Sequence, residues 1–119
     1  MELTVGNTAY RLVTTEQSGQ WTAHALRAET GERFGVETTA ETAFDAIGGL
    51  ARWLEWQHEH TCALDSLQQA ERAYHRSVAD VAFAASDNVI AMVGRRASLE
   101  QVDAARQRLD DVRARRPNA

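Results

Sequence analysis

The fold is decided in residues 2–56, which read ELTVGNTAYRLVTTEQSGQWTAHALRAETGERFGVETTAETAFDAIGGLARWLEW. Gly6-Asn7 places two residues that tolerate positive φ between short alternating runs, a pattern typical of a two-residue β-hairpin. Pairing Val5 with Thr8 across that turn gives both strands a common apolar side, because residues that face each other across a hairpin lie on the same face of the sheet. The residues on that side are Leu3, Val5, Tyr10 and Leu12.

Two more glycine turns continue the meander. Ser18-Gly19 and Thr30-Gly31 separate apolar runs, and they predict strands at residues 20–28 and 32–37. A three-residue loop between those two strands would carry the apolar face onward. It would pair Leu26 with Phe34 and His24 with Val36. The sequence therefore predicts an antiparallel meander of three to four strands.

A helix is expected to cover this apolar face. Thr38, with Glu41 three positions later, forms a capping-box pattern, and apolar residues then recur at helical spacing. These residues are Phe44, Ile47, Leu50, Ala51 and Leu54. Gly48-Gly49 in the middle indicates close approach of another backbone or a kink, or else a tolerated weakness that costs about 1 kcal/mol per residue relative to alanine.

This order of strands and helix resembles the N-terminal domain of HicB-like antitoxins over residues 8–56. The resemblance rests on Ser-Gly-Gln-Trp-Thr-Ala (residues 18–23), on Thr-Ala-Glu-Thr-Ala-Phe-Asp-Ala-Ile (residues 39–47) and on Trp53-Leu54. It implies a βββα, partial RNase-H-like fold that binds a small toxin ribonuclease. The Pro-rich Gly-Cys segment usual in that family is replaced here by residues 26–35, so the resemblance implies the fold more directly than the partner.

Length and composition fit one α+β domain with a helical appendage. The 119 residues are expected to divide into a meander-plus-helix domain, residues 1–60, and an antiparallel helical hairpin, residues 61–119. Cys62 is the single cysteine, which excludes an internal disulfide. With no charged-then-apolar leader and no long apolar span, the sequence predicts a cytoplasmic protein that does not enter a membrane.

Charge is distributed unevenly along the chain. Residues 1–60 carry nine acids and four arginines, a net charge of −5, whereas residues 61–119 carry eight acids and nine arginines, a net charge of +1. The first half would repel nucleic acid and attract a small basic protein, although acidic surfaces also serve solubility.

The second half predicts two helices. An a/d spacing marks the first, which would run from about residue 61 to 93 unless Ser86-Asp87-Asn88 breaks it. Its apolar positions are Leu64, Leu67, Tyr74, Val78, Val81, Ala85 and Met92. Gly94 is expected to end this helix, and Ser98 with Gln101 to cap the next one.

A hairpin of such unequal arms leaves apolar surface on its longer arm, so we expect a homodimer formed through the C-terminal helices. Three arginines close the second helix, where cations complement the helix dipole. They are Arg113, Arg115 and Arg116.

Residues 88–109 also have the outline of a helix-turn-helix around Gly94. That alignment would put Glu100 and Asp103 where the second helix should be apolar. The sequence therefore favours a plain helical hairpin over a DNA-binding module.

One polar cluster has the spacing of a metal site. Glu55, His58, Glu59 and Cys62 share a helix face, and Glu-x-x-His spacing occurs in carboxylate-bridged metal sites. Further ligands are restricted to the pair Glu71 and His75. The sequence therefore favours a polar helix end, with no catalytic residues and no cofactor.

The sheet face away from the helix is the predicted binding surface. The register above would place tryptophan and arginine there among small residues, a composition suited to interface hot spots. The candidate partner-binding residues are Arg11, Trp21, Ala23, Ala25 and Arg27. Alternatively this face is covered and Trp21 is a core residue, the assignment favoured for Trp53 and Trp56.

Together these observations favour a noncatalytic protein-binding module, which the resemblance would make an antitoxin-like inhibitor of a small basic ribonuclease. The alternative is a self-assembling structural protein, and a protein with a helix-borne metal site ranks third.

Overall fold

The structure is a computed structural model that describes residues 1–83 and 89–117, with the side chains of residues 80–83 left out. Its elements in chain order are β1 (Glu2–Val5), β2 (Thr8–Gln17), β3 (Gln20–Arg27), β4 (Arg33–Ala40), α1 (Ala43–Phe83) and α2 (Val89–Ala114). The predicted α+β class is confirmed, with a four-stranded antiparallel meander followed by two helices that pack as a hairpin. Of the described chain, residues 1–59 and 115–117 form one compact unit, the sheet unit, and residues 60–114 form a second, the hairpin unit.

The first two hairpins follow from their turn residues. Val5 pairs with Thr8 and Leu3 with Tyr10, which confirms the predicted register of β1 on β2. Gly6 takes a φ of 61° in that turn. In the next turn Ser18 and Gly19 both have positive φ, at 55° and 80°, as a type I′ turn requires.

The β3–β4 pairing differs from the prediction. The connection is longer than three residues, and it is closed by the Arg27 amide, which donates to the Glu32 carbonyl at 2.8 Å. Ala25, and not Leu26, therefore lies opposite Phe34. The predicted pairing of Leu26 with Phe34 was wrong because the loop length sets the register.

A bulge also interrupts β4. Ala25 pairs with Phe34 but Ala23 pairs with Thr38, so β4 uses more residues than β3 over the same span. Gly35, within this irregular stretch, has a φ of 82°. The predicted pairing of His24 with Val36 is absent from the register of these strands, because a bulge leaves residues out of the ladder.

One face of α1 packs on the sheet, as predicted. The buried residues of this core are Val5, Tyr10, Leu12, Ala23 and Ala25 from the sheet, and Ala46, Leu50, Trp53 and Leu54 from the helix. Ile47 packs against the same core. Phe44 was also predicted to lie there, but it is 84% exposed, because helical spacing puts it on the side of α1 away from Ala46 and Leu50.

The start of α1 also differs from the capping-box prediction. Thr38 and Ala40 belong to β4, and the helix begins at Ala43. The Asp45 amide donates to Thr42 Oγ1 at 3.1 Å, so Thr42 caps the helix. Thr38 is buried and donates from its hydroxyl to the Ala46 carbonyl at 2.7 Å. Strand pairing as far as Ala40 displaced the predicted cap by four residues.

Both helices are longer than the sequence indicated. α1 continues from Ala43 to Phe83 without a break near residue 60, and α2 passes through both Gly94 and Ser98. The predictions that Gly94 ends a helix and that Ser98 begins one were wrong, because one interior glycine costs a helix only about 1 kcal/mol. The predicted break at Ser86-Asp87-Asn88 lies outside the described residues.

In the hairpin unit the helices run antiparallel. The Arg113 side chain donates to His60 Nε2 at 3.4 Å, which places the end of α2 beside the start of this unit's part of α1. Among the described side chains of this unit, the buried apolar residues are Ala63, Leu67, Val102, Leu109 and Val112. Of the predicted a/d positions, Leu67 is buried, whereas Val78 and Met92 are exposed.

Within the described residues, neither helix has an apolar stretch long enough to cross a membrane.

Candidate interaction surfaces

The predicted partner-binding residues do not share a face of the sheet. Leu12 pairs with Ala25 and Tyr10 with Arg27, whereas Arg11 pairs with Leu26. Arg11 therefore lies on the outer face, and the other four candidates lie on the face that α1 covers. The prediction of a single exposed face was wrong, and the Ser18-Gly19 turn was the signal that would have corrected it, because a two-residue loop fixes which residues pair.

The four candidates on the covered face differ in how far their side chains are buried. Ala23 and Ala25 are completely buried, and Trp21 is half-buried and packs against the core. Arg27 is exposed, with its guanidinium carbon 4.9 Å from the centre of the Phe34 ring. Ala23 and Ala25 cannot touch a partner in this fold because α1 lies over them.

Aromatic rings form a connected row in the sheet unit. Tyr10 stacks on Phe34 at 5.5 Å between centroids, Phe34 lies 6.3 Å from Trp53, and Trp53 lies 6.5 Å from Trp56. The assignment of Trp53 to the core is confirmed, since only 7% of it is exposed. Its indole Nε1 has no hydrogen-bond partner among the described residues.

The C-terminal arginines contact this unit. Arg116 stands over the Trp56 ring at 5.5 Å, and Arg115 lies 3.6 Å from the Glu59 carboxylate. Their positive charges therefore offset part of the acidity of residues 1–60. The sequence suggested only a dipole role for these arginines, because contacts between residues so far apart in the chain leave no local pattern.

The outer face of the sheet is polar. Besides Arg11, threonines stand on it in all four strands, at Thr4, Thr15, Thr22 and Thr39. Val13 and Leu26 are half-buried apolar residues near its centre. Such a face is typical of an antiparallel sheet with one side in water.

The residues of the polar cluster on α1 differ in their exposure and contacts. Glu55, His58 and Glu59 are exposed and Cys62 is half-buried, while the Glu59 carboxylate faces Arg115. In the part of the chain that the structure describes, no group of three or more His, Cys, Asp or Glu residues could hold a metal ion.

A cleft of about 430 Å³ lies in the hairpin unit. Gln69, Arg72 and Arg76 on α1 line it, with Gln101 on α2. The cleft is polar, and Arg72 and Arg76 give its α1 side a positive charge.

The first turns of α2 expose the most prominent apolar surface of the described residues. Val89 is 66% exposed, Ile90 87%, Met92 57% and Val93 61%. We use the name outer stripe for Ile90, Val93, Gly94 and Ala97, which follow one another at helical i, i+3, i+4 and i+7 spacing and are all exposed.

The outer stripe adjoins the face of α2 that packs in the hairpin, because Gly94 has the same angular position on the helix as Val112. That inner face contains Val102, Leu109 and Val112, which are almost fully buried. A methyl group built on Gly94 would meet no atom within 4 Å, so the space beside the stripe is open. The spacing was readable in the sequence, but placing a helix end at Gly94 divided it between two elements.

Comparison of the chain with protein-family models, with curated proteins and with solved structures found no significant match.

Proposed function

We propose that this chain is a noncatalytic protein-binding module whose contact surface is the apolar first part of α2. The observation that carries the proposal is the exposure of Ile90 and Val93 on the outer stripe, which are 87% and 61% exposed.

Exposure of these residues has a free-energy cost. Burial of apolar surface lowers the free energy by about 25 cal/mol for each Å² removed from water. Contiguous apolar patches on soluble proteins commonly mark binding sites. A helix with a second apolar face can use that face in a groove or against another helix. Burial against a protein surface is therefore the role that suits this part of α2.

The noncatalytic part of the proposal is supported by the contacts of the polar residues. Glu59 faces Arg115 and His60 accepts a hydrogen bond from Arg113, so both side chains have structural roles. A cytoplasmic location belongs to the same proposal, since a chain with one cysteine has no internal disulfide and suits a reducing compartment.

Affinity purification from the native host tests the function. The bait is the full-length tagged chain as wild type, as Val93→Glu and as Met92→Glu. Met92 is the matched control because it is similarly exposed but lies off the outer stripe. We expect the wild type and Met92→Glu to retain a partner in fixed ratio, and Val93→Glu to lose it while its far-UV circular dichroism is unchanged.

Two results would contradict the proposal. One is a wild-type bait that retains no protein in fixed ratio, its own untagged copy included. The other is a partner that Val93→Glu retains as well as the wild type does, which would place the contact elsewhere.

A second candidate is the antitoxin-like inhibitor of a small basic ribonuclease. It is favoured by the net charge of −5 in residues 1–60 and by the resemblance over residues 8–56. Its contact would be electrostatic and thus weakened by salt. The exposed acids Glu29 and Glu32 lie in the β3–β4 loop, away from the C-terminal arginines in sequence. Glu29→Arg with Glu32→Arg should release such a partner, and a partner unaffected by both changes and by salt would rule this candidate out.

A further inference from the structure

We infer that the outer stripe binds the α2 helix of a second copy of this chain in antiparallel orientation, with Ile90 against Ala97 of the second copy and Val93 against its Gly94. The inference rests on the proposed function and names the partner of the same surface.

The first support is the shape of the stripe. Helical spacing puts its four residues within an arc of about 100°, so they form one continuous face. The centre of that arc is about a quarter turn from the inner face. A second helix can therefore pack on the stripe while the hairpin stays intact.

The second support is self-complementarity. A two-fold dimer uses the same patch on both copies, so the patch must fit itself. With the axis between Val93 and Gly94, each large residue meets a small one, because Ile90 opposes Ala97 and Val93 opposes Gly94. The same pairs recur on the other side of the axis. Large side chains then fill the space that small residues leave open, as helix packing requires.

Gly94 gives this register its particular fit. It is an interior helical residue with an open surface, where a methyl group would meet no atom within 4 Å. In a single chain such a glycine only weakens the helix. At the crossing point of two helices it lets the backbones approach closely.

The area suits a modest dimer. The large residues of the stripe, Ile90 and Val93, are 87% and 61% exposed, and they supply less than the roughly 800 Å² per partner of a standard interface. We therefore expect association that depends on protein concentration in the micromolar range.

Disulfide trapping tests the register directly. In a Cys62→Ser background, Ile90→Cys with Ala97→Cys should form a covalent dimer of twice the 13.2 kDa chain mass under mild oxidation. The two positions in one chain lie about 10 Å apart along the helix, beyond the reach of a disulfide. The bond can therefore form only between two chains.

Matched variants control for random collision and for orientation. Met92→Cys with Leu99→Cys has the same spacing on exposed positions off the stripe, and we expect at least tenfold less dimer from it. Each single variant, Ile90→Cys or Ala97→Cys, should also remain uncrosslinked, because antiparallel packing separates each residue from its own copy.

Three results would overturn the inference. Equal crosslinking of the control pair would show collision, and crosslinking of the single variants would show a parallel pair. The third is a wild type that is monomeric at 100 µM but binds a different protein, with that binding lost in Val93→Glu. This result would support the proposed function and exclude a second copy as the partner.

Discussion

Gly35 is placed where both its backbone and its missing side chain are needed. Its φ of 82° disfavours any residue with a Cβ, and a Cβ built there would come within 2.5 Å of the Trp53 ring. The bulge in β4 thus lets Trp53 lie close to the sheet. That arrangement depends on a side chain 18 positions further along the chain, so the sequence of β4 alone does not predict it.

Gly35→Ala should lower the free energy of unfolding of the sheet unit by about 3 kcal/mol, from backbone strain and steric conflict together. Gly31→Ala is the matched control, since its φ is 74° but nothing lies within 4 Å, and it should cost only about 1 kcal/mol. Urea denaturation followed by tryptophan fluorescence measures both, because all three tryptophans lie in this unit. Equal losses would contradict the close approach to Trp53.

Thr38 joins the sheet to the first turns of α1 through the hydrogen bond from its hydroxyl to the Ala46 carbonyl. Thr38→Val keeps the shape and removes the donor, so it should lower the free energy of unfolding by about 1 kcal/mol. Thr39→Val, on the exposed outer face, should change it by less than about 0.5 kcal/mol. A Thr38→Val protein as stable as wild type in urea would show that this bond contributes nothing.

Within α1, Gly48 and Gly49 illustrate a tolerated weakness. Built methyl groups would meet the nearest atoms at 3.5 Å and 3.8 Å, which is ordinary contact. Gly48→Ala and Gly49→Ala should therefore each raise the free energy of unfolding by about 0.5–1 kcal/mol. A loss of stability in the same urea titration would instead show that the helix needs a close approach or a kink there.

The elements that the sequence predicted well are those with local causes. Ser18-Gly19 sets a hairpin because its own backbone conformation turns the chain, and the spacing of Leu50 and Leu54 marks a buried helix face. The start of α1 was missed because strand pairing through Ala40 outweighed the cap that the local pattern suggested. The extent of α2 was missed because one interior glycine, Gly94, does not end a helix.

The candidate surface was missed for a related reason. The binding surface was placed on the sheet because the register of β2 on β3 was assigned one residue out, which moved Ala23 and Ala25 to the wrong face. The outer stripe depends on α2 being continuous from Val89, and no local signal distinguished that helix start from the alternatives.

At the scale of the whole molecule, the account predicts a reversible homodimer held by the outer stripe. The substitution Gly94→Leu distinguishes this dimer from a monomer in which the surface of α2 is simply exposed. Leucine has the higher helix propensity, so the substitution should raise the thermal stability of the monomer, yet it fills the space that two antiparallel helices must share. Met92→Leu is the control off the stripe.

Sedimentation equilibrium of the full-length chain from about 1 to 100 µM, the range over which a micromolar complex forms, is the most direct measurement. The account predicts a mass that rises with concentration from 13.2 kDa towards twice that value for wild type and Met92→Leu, and a constant monomer mass for Gly94→Leu. A wild type that stays monomeric throughout, or a Gly94→Leu protein that dimerises as wild type does, would contradict it.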